Sequence, residues 1–198
     1  DSAHGGIDTI KDKMPTAGEE VWDDQGTGDD AGVTDVGADP SLYYSINMSG
    51  ITASASYART GLGTDNSIAL VASELVDGAE FGIGTGTNVI SNTSEDDLTT
   101  AYVKYTTGAF TLGVQLSETE KTAASSDIAR EAAAISFAVN ENLSVSYGIS
   151  NVEYDASAKS DAESSGISAS YTMGGITLGA VSNKTDSFGG TAGSDKEF

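Results

Sequence analysis

From residue 41 onward, apolar side chains recur at every second position. In SLYYSINMS, Leu42, Tyr44, Ile46 and Met48 alternate with Tyr43, Ser45 and Asn47; after Gly50, Ile51, Ala53, Ala55 and Tyr57 alternate with Thr52, Ser54 and Ser56. A period of two is the mark of a strand with one apolar face, and two such runs across a tight turn make a hairpin. The plan repeats. Ala101, Val103 and Tyr105 lead through Thr107-Gly108 to Phe110, Leu112, Val114 and Leu116. Ile135, Phe137 and Val139 lead through Asn140-Glu141-Asn142 to Leu143, Val145, Tyr147 and Ile149. Ile167, Ala169, Tyr171 and Met173 turn at Gly174-Gly175 into Ile176, Leu178 and Ala180, and a weaker pair turns at Asp77-Gly78. The pattern predicts five hairpins, at about 41–58, 67–87, 98–117, 131–150 and 164–182, with strands of about 8–10 residues and turns of two to four. Longer, polar and mostly acidic stretches (RTGLGTDN, NVISNTSEDD, ETEKTAASSDIA, NVEYDASAKSDAE, NKTDSFGGTAGSD) separate the hairpins, so short and long connections are expected to alternate strictly.

This alternation predicts an all-β chain of antiparallel strands and favours a transmembrane β-barrel, whose strands face lipid with apolar residues and the lumen with polar ones. A water-soluble sandwich also alternates, but its polar positions are normally richer in Lys, Glu and Arg. Here they are mainly Ser, Thr, Gly, Asn and Gln. Phe81, Tyr105, Phe110, Phe137 and Tyr171 all fall in the apolar set within about four residues of a short turn, where an interfacial aromatic girdle belongs. Glu80, Lys104 and Gln115 fall in the polar set and are expected to project into the lumen.

Residues 1–40 lack the pattern. They carry 11 Asp or Glu and 2 Lys, a net of -9, and so long an irregular stretch is expected to be functional or disordered. Within it, Pro15-Thr16-Ala17-Gly18-Glu19-Glu20-Val21-Trp22 is expected to form one or two helical turns, with Pro15 at the start and Trp22, the only Trp, as anchor.

Charge and composition narrow the function. The 198 residues carry 9 Lys plus Arg against 30 Asp plus Glu, a net of -21, which repels nucleic acid and favours cations. There is no Cys, so disulfide scaffolds, structural zinc and thiol catalysis are out. No apolar run approaches the roughly 18 residues a membrane helix needs. No signal peptide is visible before Asp1, so a processed or missing N-terminus is expected. His4 is the only His and no GxSxG stretch occurs, so no catalytic residues are assigned. Gly82, Gly84 and Gly86 lack the final Gly of a dinucleotide fingerprint and read as ordinary strand glycines. No cofactor is expected and no metal ligand is assigned, although calcium on loop carboxylates at Asp23-Asp24, Asp29-Asp30 or Asp96-Asp97 stays open without an EF-hand spacing.

The segment GGIDTIKDKMPTAGEEVWDD and the repeated hairpins ending in MGGITLGAV resemble the general porins of Gram-negative bacteria, particularly those of alphaproteobacteria. The resemblance extends over essentially the whole chain. It implies a barrel of sixteen strands in the cell outer membrane, with the third long loop, between strands five and six, folded inward to narrow the pore. If residues 1–40 correspond to that inward-folded acidic loop, residues 41–198 correspond to strands six to fifteen and, at 196–198, the start of strand sixteen, a truncated barrel. Passive diffusion of small hydrophilic solutes and ions follows, with Glu19, Glu20, Asp23 and Asp24 as a negative constriction wall, Lys11 and Lys13 as local counter-charges, and cations preferred. The resemblance further implies contact with outer-membrane lipid and lipopolysaccharide, and a homotrimer. Two rivals remain at this point: a soluble or surface-layer, adhesin-like β-sandwich whose acidic loops bind calcium or carbohydrate, and an eighteen-stranded sugar porin, for which Tyr43 and Tyr102 are the lumen-side aromatics.

Overall fold

In the computed structural model, which describes residues 5–22, 36, 41–73, 75–122 and 126–197, the chain forms one antiparallel sheet of eleven strands. In chain order they are β1 (Ser41–Met48), β2 (Ile51–Arg59), β3 (Thr64–Ala72), β4 (Ala79–Ser91), β5 (Ser94–Thr107), β6 (Phe110–Lys121), β7 (Ile128–Ala138), β8 (Leu143–Tyr154), β9 (Ala162–Met173), β10 (Ile176–Asp186) and β11 (Lys196–Glu197). Each strand pairs with the next, from β1 to β11, so among the described residues the order is a plain meander with two open edges.

The hairpins expected from the period of two all form, in the expected pairing: Tyr44 faces Ala55, Thr107 faces Phe110, Phe137 faces Val145, and Met173 faces Ile176. The strand lengths differ from expectation. β4 to β10 run 11 to 14 residues, and the added length lies on the side away from the short turns. Strict alternation of short and long connections also fails. NVISNTSEDD is not a long loop: Ser91 pairs with Ser94 across a two-residue turn at Asn92-Thr93. On the opposite rim, the β3–β4 connection takes the six residues 73–78. The extensions are polar on their outer face, which reads as loop, while on the inner side Ile128, Val152, Tyr154 and Ala162 form a second buried apolar cluster. Cross-strand contacts such as Thr87 Oγ1 donating to Asp97 Oδ1 at 2.8 Å add to the pairing.

The two faces have opposite character. The outer face carries large apolar residues left uncovered: Ile68, Ile83, Leu112, Val114, Leu116, Ile149 and Leu178 are 46 to 64% exposed. The inner face carries small polar residues that are buried, among them Ser54, Ser56, Ser67, Thr100, Ser117, Ser150, Ser164 and Ser168. A soluble sandwich would cover its apolar face with a second sheet. Here the apolar face is bare, as suits lipid. On β6 the outward positions run Phe110, Leu112, Val114 and Leu116 and then change to Glu118 and Glu120; β7 changes at Glu131, β8 at Asn151, and β9 at Glu163. An apolar band thus gives way to an acidic one at a common height.

Candidate functional site

Residues 5–22 lie across the inner face, and the molecule's apolar core forms beneath them. Ile7, Ile10, Met14, Val21 and Trp22, together with Val36, pack on Ala69, Leu98, Tyr102 and Ala132 of the wall. Backbone groups need partners, and here wall side chains supply them. Gly6 N–H donates to Ser56 Oγ at 3.1 Å, Ile7 N–H to Ser67 Oγ at 3.1 Å, and Ala17 N–H to Ser146 Oγ at 3.0 Å. Gln115, on β6, does most. Its Nε2 donates to the carbonyls of Ile10 and Lys11, both at 2.9 Å, and to Thr100 Oγ1 at 3.0 Å, while its Oε1 accepts from Lys13 N–H at 3.1 Å. Thr16 Oγ1 reaches Ser168 Oγ on β9 at 3.3 Å, so the segment crosses the sheet from β2 to β9.

The helical turns expected at Pro15–Trp22 do not form. A short 3-10 turn occurs instead at Ile7–Thr9, and residues 15–22 are bends and turns. The cause is competition: Ala17 N–H is taken by Ser146, Gly18 N–H by Thr16 Oγ1 at 3.2 Å, and Thr16 Oγ1 itself donates to the Glu19 carbonyl at 2.8 Å. Trp22 is buried against Gly148, and the Arg130 guanidinium lies 4.3 Å from its ring centre.

The wall is shaped to receive this segment. A Cβ at Gly113 would stand 2.5 Å from Pro15 Cδ, one at Gly84 would meet Ile10 Cδ1 at 2.8 Å, and one at Gly86 would meet Val36. At Gly82 a Cβ would collide with the Tyr102 ring, which folds over it from the neighbouring strand. The glycines of β4 that read as ordinary strand glycines are therefore clearance for the segment and for Tyr102.

Beside Tyr102 lies a charged cluster. Glu80 on β4 pairs in register with Lys104 on β5, and Lys104 Nζ stands 3.0 Å from Glu80 Oε1. The Tyr102 hydroxyl donates to the same Oε1 at 2.7 Å, and Lys104 Nζ lies 5.8 Å from the Tyr102 ring centre.

The expected site residues are placed as follows. Glu80 and Lys104 face inward. Gln115 also faces inward but does not border open space: it is 1% exposed, covered by the segment it holds. Lys11, Lys13 and Glu20 are half-buried on the segment and Glu19 is exposed. Asp23 and Asp24, with Asp29 and Asp30, lie outside the described residues. Phe81, Tyr105, Phe110 and Tyr171 face outward near the short-turn rim, and Phe137 is half-buried beside Phe110 with ring centres 4.5 Å apart and planes at 19°. Of the lumen-side aromatics, Tyr102 is 5% exposed and Tyr43, opposite the buried Ser56, is 40% exposed. Asp96 and Asp97 are consecutive on β5 and so point to opposite faces, which prevents joint ligation of one ion. Among the described residues no group of three or more His, Asp or Glu is arranged to hold a metal.

Sequence reasoning missed Arg130, 1% exposed, whose Nε donates to Ser150 Oγ at 3.0 Å. It also missed the serines at 56, 67, 146 and 168 as partners of the segment. The available signal was Arg130 as the one Arg within a run of Ala and Ile, at an inward position of β7.

The model of a family described as Gram-negative porin matches residues 3–196. Among solved structures, in-vitro folded OmpT, an outer membrane protein of Vibrio cholerae, matches with a TM-score of 0.56 at 14% identity, covering 74% of this chain and 53% of that one. The same protein expressed in the outer membrane gives 0.57 at 14% identity, covering 74% and 54%. Its loop L8 deletion mutant gives 0.63 at 14% identity, covering 93% and 68%. The chain thus spans about half the length of the first two. At that identity the likeness is one of fold, an outer-membrane β-barrel. No curated protein matches.

Proposed function

Because this chain belongs to the Gram-negative porin family and is an outer-membrane protein, we propose that it lines a water-filled passage for the unassisted diffusion of small hydrophilic solutes and ions, with cations preferred. The observation that carries this reading is the segment at residues 5–22, held across the inner face by wall hydroxyls and Gln115. A segment fixed at that place narrows whatever passage the closed barrel leaves, which is the role the resemblance gives to an inward-folded loop. Two open strand edges in lipid would leave unpaired backbone groups costing several kcal/mol each. On this reading further strands close the sheet, and five would bring the eleven described here to sixteen. The reading is of a channel and not of an enzyme, working as a homotrimer in contact with lipid and lipopolysaccharide.

Cation preference is supported by the balance of charge. Lys104 is matched by Glu80 at 3.0 Å and Arg130 is covered by Trp22, while Glu19 is an exposed carboxylate of the segment. The chain as a whole carries -21. Carboxylates in a narrow aqueous path favour cations. The test is the reversal potential of the full-length protein in planar bilayers under a KCl gradient. The expected sign is that of a cation-preferring channel, reduced in Glu19→Gln; a sign favouring anions refutes the reading.

A further inference from the structure

Between the segment and the short-turn rim lies a cavity of about 440 Å³, roofed by Pro15 and Thr16 and lined by Glu80, Lys104, Thr106 and Thr111. Its volume falls in the range of about 300–1,000 Å³ usual for small-molecule sites. Its chemistry is specific: one carboxylate and one ammonium side by side, surrounded by hydroxyls. Both contacts to Glu80, from the Lys104 ammonium and the Tyr102 hydroxyl, go to Oε1, and neither uses Oε2. Lys104 Nζ has three donors and spends one on Glu80. Each half of the ion pair therefore keeps bonding capacity, and the two halves are 3.0 Å apart.

We propose that this cavity binds a small zwitterion of the α-amino-acid type, its ammonium on Glu80 Oε2 and its carboxylate on Lys104 Nζ. An α-amino acid carries its two charges one carbon apart, so it can lie head-to-tail against the Glu80–Lys104 pair and form two charge-assisted contacts at once. A simple cation in the same place meets Lys104, and a simple anion meets Glu80, so each loses on one side what it gains on the other. Lys13 also acts electrostatically on Glu80. Thr106 and Thr111 hydroxyls, 3.0 Å from each other, supply further polar wall without a competing charge.

The inference rests on the diffusion reading and deepens it, and one experiment separates the two. The full-length protein is reconstituted in liposomes, and tracer flux of L-alanine is measured against lactamide, an uncharged molecule of nearly the same shape, over a range of concentrations. Alanine flux is expected to saturate at concentrations on the order of millimolar, a weak site, while lactamide flux stays proportional to concentration. Glu80→Gln and Lys104→Gln, each checked for folding, are expected to raise the alanine half-saturation at least tenfold, with lactamide flux still proportional to concentration. The comparison in the unaltered protein stands even if a variant misfolds. Alanine and lactamide fluxes that scale alike overturn the zwitterion site and leave the diffusion reading standing. Alanine saturation unchanged in both folded variants also overturns the site. A protein that passes neither solute overturns both.

Discussion

Replacing Gln115 by Leu removes one side chain that holds three main-chain groups of the segment: the carbonyls of Ile10 and Lys11 and the N–H of Lys13. Leu keeps most of the volume, so the perturbation is chiefly the loss of partners. A buried group left unsatisfied costs about 1–3 kcal/mol. The Ile10 carbonyl is the fully buried one; the other two are partly accessible and recover some of their loss from water. The sum is about 3 kcal/mol. The ladder of β6 with its neighbours does not pass through this side chain, so the cost falls on docking of the segment and not on the sheet. With about 1.4 kcal/mol per factor of ten, the undocked population should rise roughly a hundredfold. Hydrogen exchange of the Lys13 amide reads this directly, and trypsin cleavage after Lys11 and Lys13 reads it independently. Unchanged protection of the Lys13 amide in Gln115→Leu, in a protein whose strands exchange as before, would refute the reasoning.

Two further outcomes follow from the faces of the sheet. Gly113→Val places a Cβ 2.5 Å from Pro15 Cδ and should loosen the segment by about 1–3 kcal/mol, seen as faster trypsin cleavage, whereas Gly179→Val, whose Cβ meets nothing within 4 Å, should leave cleavage unchanged. Leu112→Arg, on the bare apolar face, should destabilise the protein in lipid vesicles by about 2–4 kcal/mol in urea titration, and should leave alanine and lactamide permeation of the folded fraction intact.

The sheet was legible because each hairpin has one face with a single demand, apolar side chains at every second position, and a one-residue error would put Leu112 or Ile149 inside. The strand ends were less legible for the same reason in reverse. Beyond the apolar band Thr87, Glu95 and Asp97 are polar on the outer face, so nothing in their polarity separates a paired strand from a loop. The site was half legible. Glu80 and Lys104 stood on the polar face as expected, since period two alone puts them there. Their mutual pairing depended on the β4–β5 register, which the extended strands set. Gln115 was placed on the correct face but its cover was not, because its partners lie more than 100 residues away along the chain. For Pro15–Trp22, local propensity pointed to a helix, and hydroxyls at Ser146 and Ser168 decided otherwise. Glycines at 82, 84 and 113 gain their meaning only from what approaches them.

The change from Leu116 to Glu118 on β6, repeated at Glu131 and Glu163 on the later strands, has a consequence for the membrane itself. Four outward apolar positions cover about eight residues, or about 26 Å along a strand. At the tilt of about 40° usual for such barrels, that is a hydrophobic height of about 20 Å. An average hydrocarbon core is about 30 Å thick and the bacterial outer membrane is thinner. Carboxylates on neighbouring strands mark the upper limit, so the protein cannot sink to meet a thicker bilayer. The bilayer must thin to meet the protein, and this fixed mismatch favours the thinnest membrane the cell offers.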